Sequence, residues 1–120
     1  MEYRVCRNNP APYNDLNGKI SLLGLGTMRL PLRDAADQTS IDEEKAQEIF
    51  DYAYAHGVNY FDTAYPYHGG MSEKFCGKAL AKYPRASYHL ASKLPGWLLK
   101  CDEDVPRIFN EQLANCRTDY

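Results

Sequence analysis

SIDEEKAQEIFDYAYAHGVNYFD, residues 40–62, holds the pattern that decides the fold. Ser40 and Glu43 have the spacing of a capping box, and apolar residues then recur at helical intervals until Gly57, a residue type that readily ends a helix. Residues 58–62 follow at once as the apolar and aromatic run of a strand. The stretch therefore predicts a helix that leads directly into a buried strand. The apolar helix positions are Ala46, Ile49, Phe50 and Ala53.

Upstream of this stretch, two further elements are indicated. Residues 21–27 (SLLGLGT) form a short apolar run with glycines, which predicts the first strand of a parallel sheet. Residues 3–6 alternate as a strand does, and a segment rich in Asn, Pro and Gly separates them from Ile20. This arrangement predicts an N-terminal hairpin.

Downstream, the alternation of helix and strand continues to the end. Ser72 is expected to cap a second helix that stops before Pro84, with an apolar stripe on one side. Residues 88–94 predict a third strand, and residues 105–116 predict a third helix. The second helix carries Phe75, Cys76, Ala79 and Leu80, and the third carries Ile108, Phe109 and Leu113.

Repeated strand–helix units predict a parallel sheet covered by helices, within one α/β domain that spans residues 1–120. An open sheet and a closed barrel both fit this order. In either fold, sites are built at the carboxyl ends of the strands, where four polar residues of this chain fall. They are Thr27, Asp62, Tyr67 and Lys93.

Composition excludes several function classes. The net charge is -2 and no basic stripe occurs, so no nucleic-acid partner is expected. No apolar run reaches the length of a membrane span or a signal peptide, which predicts a cytoplasmic protein without a membrane partner. The four cysteines lack metal-ligand or disulfide spacing, so no metal site and mostly packed, reduced thiols are expected.

The polar groups at the strand ends suggest proton transfer. Side chains alternate along a strand, so Asp62 and Lys93 can face one another across neighbouring strands. A carboxylate keeps the amine charged, and that charge favours the ionised form of a nearby phenol, for which Tyr67 is well placed. Such a tyrosine can protonate a carbonyl oxygen while a nicotinamide cofactor delivers a hydride to the carbonyl carbon.

Four short segments match, in order, a pattern known from one enzyme family. The segments are residues 24–29 (GLGTMR), 56–64 (HGVNYFDTA) with Tyr67, 72–73 (SE) and 91–94 (ASKL). Together they resemble the aldo/keto reductase family. The resemblance extends from the hairpin to Tyr120. The loop sequences are also similar to those of a bacterial and archaeal subgroup that often carries a ferredoxin-like 4Fe-4S extension.

This resemblance implies the N-terminal part of a (β/α)8 barrel that binds NADPH without a Rossmann fold and reduces an aldehyde or ketone. It matches Asp62, Tyr67 and Lys93 to three of the four catalytic residues of the family, with Tyr67 as the proton donor. The cofactor-binding positions are Gly26, Thr27, Met28 and Asp62. The fourth catalytic residue, a histidine, would lie several residues beyond Tyr120.

A complete barrel takes about 250 residues, and the family's clamp on the cofactor phosphates lies on its last strands. The resemblance therefore implies about three βα units of an incomplete barrel, and we expect this chain to be weak or inactive by itself. The alternative function is a short, non-catalytic relative that acts as a binding or regulatory module through its open sheet edge, with self-association as one outcome. A flavodoxin-like domain is a weaker option.

Several residues near the predicted site have ordinary interpretations. Tyr65 is interpreted as packing or pocket wall, and His68 as a solvated loop residue. His56 suits the carboxyl end of a helix, where the helix dipole favours a cation. His89 lies about 13 Å along the strand from Lys93 and cannot replace the missing histidine. Trp97 could line a substrate pocket.

Overall fold

The computed structural model describes residues 1–5 and 19–120. It begins with an antiparallel hairpin of β1 (Tyr3–Val5) and β2 (Lys19–Ser21). The predicted hairpin is confirmed. The Asn-, Pro- and Gly-rich segment predicted to connect its strands lies within residues 6–18, outside the described residues. Asn59 joins the hairpin to the main sheet: its Oδ1 accepts the Ser21 N–H (2.8 Å) and its Nδ2 donates to the Lys19 carbonyl (3.1 Å).

Three parallel strands form the main sheet, with β4 in the middle. They are β3 (Leu25–Gly26), β4 (Tyr60–Asp62) and β5 (His89–Ala91). All three are shorter than predicted. Residues 21–27 are divided between the two sheets: Ser21 pairs with Tyr3 and ends β2, and after a bend at residues 22–23 only Leu25 and Gly26 join the parallel sheet.

A helix follows each parallel strand, as predicted. The helices are α1 (Glu43–Ala55), α2 (Met71–Leu80) and α3 (Asp104–Cys116). Short 3-10 turns lie at Tyr67–Gly70, Arg85–Ser87 and Gly96–Leu98. In the described part of the chain, no helix combines the length and apolar content that a membrane span needs.

Two predicted helix caps are wrong. At α1 the carboxylate of Asp42, and not the Ser40 hydroxyl, accepts the N–H of Lys45 (3.3 Å), because Ser40 bonds to carbonyl groups of the preceding loop. At α2 the residue before the helix is Gly70, with a φ of 87°, a conformation that glycine adopts without strain. Ser72 lies inside α2 and is free to bond elsewhere.

The core lies between the sheet and the helices. The Phe61 ring stacks on Phe50 at a centroid distance of 5.3 Å, and Phe75 meets Phe50 edge-on at 5.4 Å. Helices α2 and α3 approach closely at Gly77, where an added Cβ would lie 2.5 Å from the Asn115 carbonyl oxygen. Smaller residues complete this core: Ala46, Cys76, Ala79 and Leu80.

Two apolar residues on the predicted helix stripes face solvent instead. Ile49 and Phe109 are 40% and 54% exposed. Each lies at the margin of a stripe whose centre is Phe50 or Ile108, both almost fully buried. Successive helix residues are rotated by about 100°, so a side chain one position away from the centre of the stripe already points out of the core.

Candidate active site

Lys93 lies two residues beyond β5 and reaches across to β4. Its Nζ donates to Asp62 Oδ1 at 2.6 Å and to the Thr63 carbonyl oxygen at 2.8 Å. Asp62 ends β4, and its neighbour Phe61 points into the helix layer, so Asp62 faces the other side of the sheet. The predicted meeting of Asp62 and Lys93 across neighbouring strands is therefore confirmed.

Tyr67 lies next to this pair. It begins the 3-10 turn after β4, where its N–H donates to the Ala64 carbonyl oxygen at 3.2 Å. The Lys93 ammonium is 4.9 Å from the centre of the Tyr67 ring. Partial burial opposes the charge on Lys93, but hydrogen bonds to Asp62 and Tyr67 outweigh it and raise the pKa of Lys93 above its ordinary value. The structure thus brings together the three residues predicted from the sequence.

The end of β3 borders the same site. The Thr27 N–H donates to the Asp62 carbonyl oxygen at 2.9 Å, which fixes this loop against β4. Gly26 is open, with no atom within 4 Å of where a Cβ would stand, and Met28 is 56% exposed. The Thr27 side chain is completely buried and points inward. Of the predicted first-strand positions, Gly26 and Met28 are accessible and Thr27 supports them.

Below the strand ends lies a cluster of buried hydroxyl groups. The Ser72 hydroxyl is 2.8 Å from that of Thr27 and 2.9 Å from that of Thr63, and all three residues are fully buried. The cluster links the ends of β3 and β4 to α2. This cluster could not be predicted directly from the sequence, because a Ser at the start of a helix is more often a cap.

His68 is buried, so its interpretation as a solvated residue is wrong. It has a φ of 54°, and its ring spans the loop after β3. Nδ1 lies 2.9 Å from the Gln38 carbonyl oxygen, and Nε2 accepts the Leu30 N–H at 3.2 Å and lies 3.1 Å from the Thr27 carbonyl oxygen. The ring therefore holds the turn that carries Tyr67 against the loop after β3. The sequence contained one indication of this burial, because the glycines next to His68 allow the close turn.

The remaining candidates lie elsewhere. The Tyr65 hydroxyl donates to Glu111 at 2.8 Å, and this bond raises the pKa of Tyr65, which fits a packing role. His89 Nε2 is 3.3 Å from the Lys19 carbonyl oxygen, near the hairpin. His56 stacks on Tyr52 at the end of α1. Trp97 is 74% exposed in the turn after β5.

Within residues 1–5 and 19–120, no three His, Cys, Asp or Glu side chains are grouped so that they could hold a metal ion. Cys76 and Cys116 are buried free thiols, and Cys101 is an exposed one.

Residues 22–120 match a family model described as the aldo/keto reductase family. The chain belongs to this family. An L-galactose dehydrogenase from Arabidopsis thaliana is 33% identical over 108 residues, which are 85% of this chain and 32% of that protein. The chain spans between 15% and 32% of the length of five curated relatives that it matches.

Solved aldo-keto reductases share the fold. One from Bacillus halodurans, in its holo form, superposes with a TM-score of 0.73 at 29% identity, over all of this chain and 38% of that one. One from Klebsiella pneumoniae, in complex with NADPH, has a TM-score of 0.69 at 24% identity, over all of this chain and 37% of that one. The hairpin and the three βα units are therefore part of a (β/α)8 barrel, not of an open flavodoxin-like sheet.

Proposed function

We propose that this chain supplies the proton-transfer part of an NADPH-dependent reductase that converts an aldehyde or ketone to an alcohol. One observation carries the proposal: the Lys93 ammonium contacts Asp62 at 2.6 Å and lies 4.9 Å from the Tyr67 ring, at the carboxyl ends of the strands. This is the edge where barrels of this class place their chemistry. The position of the three residues in the family's order supports the same roles.

Each of the three residues has a distinct role in this reaction. The Tyr67 hydroxyl donates its proton to the carbonyl oxygen, which becomes the alcohol oxygen. The tyrosine is left as a phenolate, and the Lys93 ammonium stabilises that negative charge. Asp62 keeps Lys93 charged. Asp62 and the carbonyl oxygen of Thr63 together hold the ammonium in place. Solvent then returns a proton to Tyr67.

The residues at the end of β3 fit a bound cofactor. Gly26 leaves open space where any other residue would place a side chain, and Met28, two residues further along the chain, is exposed. When bound, NADPH supplies the hydride that reaches the carbonyl carbon. We assign Gly26, Met28 and Asp62 to the cofactor side of the site, with Thr27 holding the loop from below. The NADPH complex of the Klebsiella neighbour supports this choice of cofactor.

The preference for NADPH over NADH and the cytoplasmic location are part of the same proposal and rest on the family and the sequence. A second candidate is the non-catalytic binding module. It is favoured by the apolar surface beside β5, where a cavity of about 280 Å³ is lined by Leu90, Leu94, Phe109 and other residues. A partner strand could add to this edge of the sheet.

Because this chain is expected to be weak or inactive by itself, the test joins it to the remaining βα units of an aldo/keto reductase barrel. It compares the wild-type sequence with Tyr67→Phe and Tyr65→Phe in NADPH oxidation by a panel of aldehydes and ketones. Loss of the Tyr67 hydroxyl is expected to reduce kcat by about 10²–10⁴-fold with little change in KM. Tyr65→Phe removes the same group two residues away and should stay close to wild type. Equal activity of both variants would overturn the role of Tyr67. A folded, inactive wild type that dimerises in light scattering would favour the second candidate.

A further inference from the structure

Glu73, in the first turn of α2, is a carboxylate with no exposed surface. Ser92 Oγ donates to its Oε1 at 2.6 Å and Gln112 Nε2 donates to the same oxygen at 2.9 Å. Asn115 Nδ2 donates to Oε2 at 3.0 Å. Within residues 1–5 and 19–120 Glu73 makes no salt bridge. A buried carboxylate is costly unless it is fully hydrogen-bonded, and here three neutral side chains bond to it.

The two oxygens of Glu73 face different parts of the structure. The donors to Oε1 lead to the candidate active site, because Ser92 directly precedes Lys93 in the chain. Gln112 Nε2 also lies 3.0 Å from the Lys93 carbonyl oxygen and 3.0 Å from Ser92 Oγ. The donor to Oε2, Asn115, lies near the end of α3, beside the close contact at Gly77.

We propose that Glu73 is a positioning residue for Lys93. Through Ser92 and Gln112 it fixes the main chain at the end of β5, and this sets the direction in which Lys93 reaches Asp62 and Tyr67. The inference rests on the proposed function only for the importance of Lys93 to the reaction. A carboxylate suits the task because each of its oxygens accepts more than one hydrogen bond, so it can bind donors from α3 and from the segment that follows β5 at one point.

A purely structural role for Glu73, holding α2 against α3, predicts something different. In that case the bond to Ser92 and the bond to Asn115 would be equivalent, and loss of either would lower the melting temperature without affecting Lys93. A positioning role makes the two bonds unequal. Only the bond on the Oε1 side would change the surroundings of the Lys93 ammonium.

The experiment measures the pKa of Lys93 by NMR of its side chain, with Lys93→Arg to assign the signal, in Ser92→Ala and in its matched control Asn115→Ala. Neither substitution changes the charge, so any shift reports geometry. Ser92→Ala is expected to lower the pKa of Lys93 toward its ordinary value, because the ammonium would be held less well against Asp62 and Tyr67. Asn115→Ala should leave it at the wild-type value, and Ser92→Thr, which keeps the hydroxyl, should restore it.

Equal pKa values of Lys93 in Ser92→Ala and Asn115→Ala would overturn the proposal. Glu73→Gln is a further variant, and if it fails to fold, the two alanine variants still decide the question. The titration needs no enzyme activity. In the reductase assay Ser92→Ala should lower kcat with KM unchanged. Equal kcat values of Tyr67→Phe and wild type would contradict the proposed function and leave the NMR result as an independent measure of the positioning role.

Discussion

Phe61 and Asp62 are neighbours on β4, yet they point to opposite sides of the sheet and meet different surroundings. Phe61 is fully buried and packs between the rings of Phe50 and Tyr88. Asp62 has a side chain that is 37% exposed and bonds to Lys93, which is 49% exposed. The helix-facing side of the sheet is close-packed and apolar, whereas the opposite side is open and polar.

Within each strand, the residues that stabilise the fold and the residues that face the candidate site therefore point to opposite sides of the sheet. Each parallel strand contributes a residue to the helix-facing row of Leu25, Phe61 and Leu90 and the next residue to the opposite row of Gly26, Asp62 and Ala91. A substitution on the first row should therefore act on folding, and one on the second row should act on the reaction.

Phe61→Ala should destabilise the protein by about 3–5 kcal/mol, the usual cost of removing a fully buried aromatic side chain. Its ring contacts with Phe50 and Tyr88 would be lost together, and the rigid helix layer could not close the gap. Urea denaturation followed by circular dichroism gives the free energy of unfolding. Phe61→Leu is the matched control and should cost clearly less, because it keeps most of the apolar volume.

A loss below about 1 kcal/mol for Phe61→Ala would contradict the division. It would place Phe61 in a region that relaxes easily, contrary to its complete burial, and would leave the two sides of the sheet without a difference in packing.

The sequence was sufficient to predict the helices and the order of strands, because helical and alternating periodicities are local properties. Gly57 and the apolar positions around Phe50 predicted where α1 ends and which side of it is buried. Strand lengths were not predictable in the same way. Ser21 belongs to the hairpin only because Tyr3 lies opposite it, and that pairing is a tertiary contact.

The same limit applies to the candidate site. Alternation along the strands was enough to predict the contact of Asp62 with Lys93. By contrast, the burial of His68, Ser72 and Glu73 depends on which loop or helix covers each of them. These polar residues are surrounded by donors and acceptors far away in the chain, so their partners could be found only in the folded structure.

Alkaline pH should weaken the helix-facing side through its buried thiols. Burial raises the pKa of Cys76 from 9.0 to about 11 and that of Cys116 to about 12. Above pH 9 the unfolded chain releases these protons while the folded chain retains them, so the free energy of unfolding falls as pH rises. Each thiol should contribute about 1.4 kcal/mol per pH unit until its folded pKa is reached. Denaturation at several pH values measures the slope.

Cys76→Ala is the matched variant for this measurement, because it removes one titrating group from the core and keeps an apolar side chain. Its slope between pH 9 and about 11 should be smaller than that of the wild type. An identical slope would mean that the thiol ionises as easily in the folded protein as in the unfolded chain, which would contradict a close-packed helix layer.

Lys93→Met should change the free energy of unfolding by less than about 1 kcal/mol, although it removes the ion pair at the centre of the candidate site. Both partners of the pair are partly exposed, so water and salt already screen their attraction. Methionine retains the length and apolar stem of the lysine side chain. Urea denaturation should therefore give nearly the wild-type value, while the reductase assay loses most of its activity. A loss of stability as large as that of Phe61→Ala would show that the open side also holds the fold together, and the division between the two sides of the sheet would fail.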